Sequence, residues 1–310
     1  MQTPGSLPLP PTFDLARARL SIRPMGSLTL QLRHFQLALQ GAAAALDVVQ
    51  PIAADVCVGP YADLPDADVP LTADQLARWG VGLPQVLDAA VAAGFGRPVP
   101  PGQRVESVYL YQDVRFAGTA LLRPELVRGL PVDGDPVALV PTVGDLLVGG
   151  SGDPAGLTFL ARIAERLVRS PALPVSIQPL VLRGAEWVPF AWPEQVQPFA
   201  DALRRRWDTL HYARQRPLLQ QHYERVGPPT AVPELGLYER DGRTVTVTSL
   251  TEGVPAVLPM ADLVSLVRTD GATTPAPMDQ LLRVPGLLVP VPGTAPPRVY
   301  ATRFPIELTR

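Results

Sequence analysis

The chain has 310 residues, a formal net charge of −2 and 38 prolines, and it contains neither lysine nor asparagine. Its 27 lysine-or-arginine positions are therefore all arginine, which excludes Schiff-base, P-loop and kinase lysines and also the Cys-His-Asn and Ser-x-x-Lys nucleophilic sites. The small net charge argues against a general affinity for nucleic acid or anionic membranes, and the length suits about two domains.

Cys57 is the single cysteine, so no internal disulfide can form. The first twenty residues lack the basic and continuous apolar regions of a signal peptide. No apolar run reaches the roughly 18 residues that a membrane-spanning helix needs. These features predict a cytoplasmic protein without a membrane segment.

The N-terminal quarter of the chain mixes proline-rich and apolar segments. Residues 1–26 are predicted to form a poorly ordered lead-in. Leucines alternate with polar residues over 28–32, which is strand patterning, and the alanine-rich stretch 42–49 favours a helix. The apolar run 56–58 ends at Gly59 and predicts a strand.

Two helices and a strand are predicted next. Thr72 is the expected N-cap of a helix that ends near Gly80, and a second helix starts at Pro84 and stops at Gly94. Residues 105–111 alternate in the manner of a single strand.

The middle of the chain carries the clearest patterns. Apolar strands are predicted over 137–140 and 145–148 around a turn. Residues 154–169 place their apolar side chains on one helical stripe, and residues 175–190 suggest a hairpin.

The last third changes character along its length. A charged helix is predicted over 199–214, and a second helix restarts at Pro217. Residues 243–250 are rich in threonine and valine, which favours a strand.

These patterns predict an α+β protein in four segments. The segments are a lead-in (1–26), a mixed α+β domain (27–191), a helical connector (192–227) and a β-rich C-terminal region (228–310).

A glycine-rich loop between a predicted strand and the best helix is the first candidate ligand site. Gly150, Ser151, Gly152 and Asp153 could present backbone N–H groups to a phosphate or an oxyanion. The alternative is structural, with Ser151 or Asp153 capping the helix and Pro154 in its first turn.

Histidines and acidic residues supply weaker candidates. His211 and His222 are expected in neighbouring helices, and no histidine pair has metal-ligand spacing, so neither a metal nor another cofactor is predicted. The acidic cluster of Asp63, Asp66 and Asp68 suits either a hard cation or turns beside proline.

Arginines interleaved with aromatic residues form the second candidate site. Arg204, Arg205, Arg206 and Arg214 have the composition of a nucleic-acid contact. Neighbouring positions point about 100° apart on a helix, so a solvated helix face is the favoured alternative.

Several segments together resemble the YtpQ-like bacterial proteins, an uncharacterised family described as a domain of unknown function. The resemblance covers most of residues 55–305. The segments that carry it include Asp63-Leu-Pro-Asp66, Trp79-Gly-Val81, Asp145-Leu-Leu-Val148, Trp187-Val-Pro-Phe190 and Pro296-Pro-Arg298. It implies an intracellular bacterial α+β protein and brings no activity or catalytic residues.

The sequence thus favours a non-catalytic binding or interaction protein whose partner is another protein or a small molecule. An enzyme or ligand binder that uses the loop from Gly149 to Asp153, and a nucleic-acid contact through the helix from Arg204 to Arg216, are the alternatives. The oligomeric state is left open.

Overall fold

The computed structural model of the chain describes residues 9–41, 47–95, 102–240 and 243–308. Helices and mainly antiparallel sheets confirm the predicted α+β class. Contacts divide the chain into two compact units, Met1–Leu30 with Ala43–Ala200 and Gln31–Ala42 with Asp201–Arg310.

The described residues of the first unit form the following α-helices and strands, of which two helices run on into the second unit. They are α1 (Phe13–Ala16), β1 (Leu20–Gly26), α2 (Ser27–Leu39, which continues into the second unit), β2 (Gln50–Ala53), β3 (Val56–Asp63), β4 (Asp68–Pro70), α3 (Ala73–Trp79), α4 (Leu83–Phe95), β5 (Gln103–Val105), β6 (Val108–Gln112), α5 (Val114–Leu122), α6 (Glu125–Arg128), β7 (Pro136–Thr142), β8 (Asp145–Gly150), α7 (Pro154–Leu167), β9 (Leu180–Arg183), β10 (Glu186–Pro189) and α8 (Gln197–Arg225, which also continues into the second unit).

Two antiparallel sheets organise this unit. The first has the order β1-β3-β2 with β4 also paired to β3, and the second has the order β10-β9-β7-β8-β6-β5. Buried side chains from both sheets and from α4 and α5 share one apolar core that includes Ile22, Val58, Val86, Ala117 and Val140. Removing this apolar surface from water is the main force that holds the unit together.

The second unit carries a four-stranded sheet and a three-stranded sheet. Its strands and helix are β11 (Gly236–Arg240), β12 (Arg243–Thr251), β13 (Ala256–Pro259), β14 (Leu263–Val267), β15 (Thr273–Pro277), α9 (Met278–Leu282), β16 (Leu288–Val291) and β17 (Arg298–Ala301). The sheet orders are β11-β12-β14-β15, in which β12 and β14 run parallel, and β13-β17-β16. Leu258, Leu266, Leu281 and Leu287 lie in its core.

Prolines occupy many strands at the ends of these sheets. They include Pro24 in β1, Pro189 in β10, Pro259 in β13, Pro275 in β15 and Pro290 in β16. Proline cannot donate a ladder hydrogen bond, so an edge strand is where a sheet tolerates it best.

Several elements that the local sequence predicted are confirmed. The Thr72 hydroxyl accepts a hydrogen bond from the Gln75 N–H at 3.3 Å, and α3 ends at Gly80 with a left-handed φ of 68°. Helix α7 buries Leu157 and Leu160 on the predicted stripe. The predicted strands around Thr142 are confirmed as the β7–β8 pair.

The strand predicted over 28–32 is wrong, because these residues begin α2. Leucine is a strong helix former, and three alternating positions are too few to separate a period of two from one of 3.6. Leu30 and Leu32 are both buried within the helix. The helix predicted over 42–49 falls largely outside the described residues.

The predicted break at Pro217 is also wrong, since α8 runs through it without interruption. The proline removes one backbone hydrogen bond at a cost of about 3 kcal/mol. Pro217 lies on the exposed side of α8, while His211, Gln215 and Leu219 are buried at helical spacing on the other side. Packing of that continuous buried face holds the helix together across the proline.

Two further expectations are corrected. The predicted poorly ordered lead-in contains β1, which pairs with β3 along seven residues from Leu20 to Gly26. Residues 105–111 are not one strand, because Glu106 has a positive φ of 55° and turns the chain between β5 and β6.

A cleft beside a buried arginine as the candidate site

The predicted glycine-rich loop follows β8, and its backbone donors are already engaged. The Ser151 N–H donates to the Asp135 carbonyl and the Gly152 N–H to the Asp133 carbonyl, both at 2.9 Å. A Cβ placed on Gly150 would lie 2.2 Å from the Asp133 oxygen. The chain itself therefore fills the concave side on which an anion would sit.

Asp153 and Ser151 also have structural partners. The Asp153 carboxylate accepts from the Gly156 N–H at 2.9 Å, which caps α7 and holds the pKa of this carboxyl below its usual range. The Ser151 hydroxyl accepts from the Asp135 N–H at 2.9 Å. This geometry favours the capping interpretation of the loop, and ligand binding there stays a prediction.

The four arginines predicted for nucleic acid lie on α8, and they do not share one free surface. Arg205 binds Asp262, with its Nε 2.8 Å from the carboxylate. Arg204 lies 3.6 Å from Asp201 in an exposed pair, and Arg206 has a partner within the chain. Burial lowers the pKa of Arg214. The arrangement therefore favours structural and solvated roles over a phosphate-binding stripe.

The acidic cluster holds guanidinium groups. Arg23 is buried and pairs with Asp63 at 2.9 Å and with Asp68 at 2.8 Å, and Arg115 reaches the second Asp63 oxygen at 2.7 Å. Asp66 is exposed. A search of the described residues finds no group of three His, Cys, Asp or Glu side chains suited to a metal ion.

His211 and His222 do not converge, and the expectation of neighbouring helices is corrected. Both belong to α8, where eleven residues span about 16 Å along the axis. The His211 Nδ1 donates to the Trp207 carbonyl at 3.1 Å, and the ring is fully buried. Burial lowers the pKa of His211 to about 4.

This depressed pKa predicts a pH dependence of stability. An unfolded histidine titrates near pH 6.5, so the unfolded chain binds the extra proton first as pH falls. His211 therefore stabilises the fold fully above about pH 6.5, and up to about 3 kcal/mol is lost on acidification to about pH 4. Urea unfolding at several pH values measures the loss.

His211→Gln should flatten this slope in the comparison with wild type. Gln221→Ala is the control on the same helix, because it changes no ionisable group, and it should keep the wild-type slope. Equal slopes in all three proteins would show that His211 is not enclosed.

A cleft of about 290 Å³ lies within the second unit. Its lining includes Leu32 and Phe35 of α2, Gln215, Leu219, His222 and Tyr223 of α8, and the loop 291–295. The Phe35 and His222 ring centroids are 6.0 Å apart, and His222 meets Tyr223 edge-on at 5.3 Å. The lining thus combines an apolar part with amide, hydroxyl and imidazole groups.

Arg298 of β17 lies directly behind this lining. Its side chain is almost fully buried, and its Nε donates to the Gln215 Oε1 at 2.6 Å. Its Nη1 donates to the carbonyls of Val257 at 2.9 Å and Pro233 at 3.2 Å. Among the described residues, its Nη2 has no hydrogen-bond partner. One edge of this guanidinium is therefore left without an acceptor.

The aromatic ring of Tyr212 packs against Arg298. The guanidinium carbon lies 5.0 Å from the Tyr212 ring centroid, a cation–π distance. The Tyr212 hydroxyl donates to the Pro297 carbonyl and accepts from the Met260 N–H, and burial raises its pKa to about 12. Burial likewise lowers the pKa of Arg298 to about 10, so the group stays protonated at neutral pH.

The chain is thus an α+β protein whose second unit buries Arg298 beside a partly apolar cleft. Comparison with protein-family models, with curated proteins and with solved structures gives no match to the chain. No helix among the described residues has the length and apolar character needed to cross a membrane.

Sequence reasoning missed this site. In the sequence, Arg298 belongs to a segment of the family resemblance and to no candidate site. A signal was present, since a lone arginine begins the apolar strand from Arg298 to Ala301, where a charge needs a partner. The partners could not be read, because Gln215, Pro233 and Val257 are distant in the chain.

Proposed function

We propose that the protein is a non-catalytic binding protein whose ligand is a small molecule held in the cleft of the second unit. The observation that carries the proposal is the unfilled donor of Arg298 behind a concave, partly apolar lining. Ligand sites typically combine an apolar wall with a few convergent polar groups, and this cleft is near the lower end of their volumes.

A non-catalytic role is supported by the use of the reactive side chains in the fold. The Ser151 hydroxyl accepts from the backbone, Asp153 caps α7, and His211 is buried away from the cleft lining. Burial raises the pKa of the Cys57 thiol to about 11, which suppresses its nucleophilic thiolate form. A cytoplasmic location and the resemblance to the YtpQ-like family are also parts of the proposal, and both rest on the sequence alone.

A neutral fluorescent probe tests whether the cleft binds small molecules. N-phenyl-1-naphthylamine brightens in apolar surroundings and carries no charge. The full chain should give a saturable fluorescence increase. His222→Trp, which enlarges a lining side chain, should weaken binding at least about tenfold, which is about 1.4 kcal/mol.

Glu224→Trp is the matched control. Glu224 is exposed, lies two residues further along α8 and is outside the cleft lining. This variant should bind the probe as wild type does. A lack of saturable binding, or equal weakening in both tryptophan variants, would contradict the proposal.

A further inference from the structure

We infer that the ligand of this cleft is an organic monoanion with an apolar body, attracted by the positive charge of Arg298. The inference rests on the proposed function and adds the chemical class of the ligand.

The charge of Arg298 has no acidic counterpart in its hydrogen bonds. Among the described residues, its guanidinium donates only to the Gln215 amide oxygen and to backbone carbonyls, and it stacks on a neutral tyrosine. Buried cations are normally paired with a carboxylate, because removing a charge from water is costly. An anion in the cleft would supply an opposite charge near Arg298 without touching the enclosed guanidinium.

The Nε–Nη2 edge of the guanidinium is hydrogen-bonded, through Nε, to a residue of the cleft lining. Nη2 shares an edge of the planar group with Nε, and that Nε is bonded to Gln215, a lining residue. The backbone N–H of Arg298 also donates to the hydroxyl of Thr294, a second lining residue, at 3.1 Å. Two residues of the cleft lining are therefore in direct hydrogen-bond contact with Arg298.

The described lining of the cleft carries no negative charge that would repel an anion. No aspartate or glutamate is found among the described residues that line it. Arg216 contributes a further positive charge near Arg298, although Glu234 pairs with Arg216 at 3.3 Å. The guanidinium of Arg298 is closed off from water, so its charge acts on the cleft through a medium of low dielectric constant, where it is weakly screened.

The volume and the lining of the cleft indicate what the uncharged part of the ligand is. Leu32, Phe35 and Leu219 offer apolar contacts, and the volume of about 290 Å³ suits a compact aromatic or short aliphatic body. A carboxylate or a sulfonate on such a body would lie against Gln215 and Tyr223. Extended polyanions such as nucleic acid do not fit a cleft of this volume.

Two probes with the same anilinonaphthalene body test the inference. 8-Anilinonaphthalene-1-sulfonate carries one negative charge, and N-phenyl-1-naphthylamine carries none. The wild-type chain should bind the sulfonate at least about tenfold more tightly than the neutral probe, since one partly screened charge pair is worth about this factor.

A pair of variants at one position locates the effect without disturbing Arg298. His222→Glu places a carboxylate in the lining and should abolish the preference for the sulfonate while neutral-probe binding persists. His222→Gln removes the imidazole without adding a charge, so it should change the affinities for both probes by the same factor and keep their ratio. Circular dichroism and urea unfolding confirm that both variants are folded.

Each outcome has a distinct meaning. Equal affinity of wild type for the two probes would overturn the anion inference and leave the proposed function standing. Binding of neither probe would overturn the proposed function itself. A sulfonate preference that survives in His222→Glu would place the anion elsewhere and also overturn the inference.

Discussion

Arg298→Met is expected to lower the free energy of unfolding by about 2–4 kcal/mol. Methionine keeps most of the side-chain volume but donates no hydrogen bond. The Gln215 amide oxygen and the Val257 carbonyl would then lie buried without the donor they have now. Each such orphaned acceptor costs about 1–3 kcal/mol, and the cation–π contact with Tyr212 is lost as well.

Urea unfolding of the full chain measures this effect, with Arg283→Met as the control. Arg283 belongs to the same unit, is largely exposed and pairs with Asp279 at 2.9 Å. The control should change the unfolding free energy by less than about 1 kcal/mol, as exposed pairs contribute little. If the two variants unfold at the same urea concentration, Arg298 is not enclosed as described.

Gly150→Ala is expected to destabilise the chain by about 2–4 kcal/mol. The new Cβ would lie 2.2 Å from the carbonyl oxygen and 2.7 Å from the nitrogen of Asp133. Both contacts are with backbone, so a side-chain rotation cannot relieve them. The loop that follows β8 would have to move away from the segment from Asp133 to Asp135 and lose its hydrogen bonds.

Gly129→Ala is the matched control for this substitution. Nothing lies within 4 Å of a Cβ at Gly129, and its φ of −81° suits any residue. Its stability should stay within about 1 kcal/mol of wild type, since only the unfolded chain is affected. Thermal unfolding of the two variants separates the steric clash at Gly150 from the general effect of replacing a glycine by alanine. A Gly150→Ala chain as stable as wild type would reopen the concave side of the loop as a ligand site.

The helices that were predicted correctly carry their start signals, end signals or apolar pattern within or next to their own residues. Helix α3 has a threonine cap at its start and a glycine at its end. Helix α7 has Asp153, a proline and a long apolar stripe. Such signals act within a few residues, so no knowledge of the tertiary structure is needed to read them.

The elements that the sequence missed are set by distant packing. Strand β1 follows prolines and looks irregular, yet it is held by pairing to β3, from Leu20 with Ala62 to Gly26 with Val56. Helix α8 passes through Pro217 because its buried face continues on both sides of the proline. Local propensity gives no access to either effect.

The candidate site depends even more on residues that are distant in the sequence. Its lining comes from α2, from α8 and from the loop 291–295, segments that lie far apart in the sequence. A charged residue points to a binding site only once its burial and its neighbours are known. No sequence motif around Arg298 indicates either of them. The predicted loop from Gly150 to Asp153, in contrast, was conspicuous because a helix start and an anion site use the same residues.

The prolines at the sheet ends have a consequence for how this chain behaves at high concentration. An edge strand whose row of N–H donors is interrupted is a poor template for another molecule. In the described part of the chain, β5 and β11 are end strands without proline, and Tyr238 of β11 is exposed. Any fibrillar or strand-swapped association should therefore start at one of these two edges.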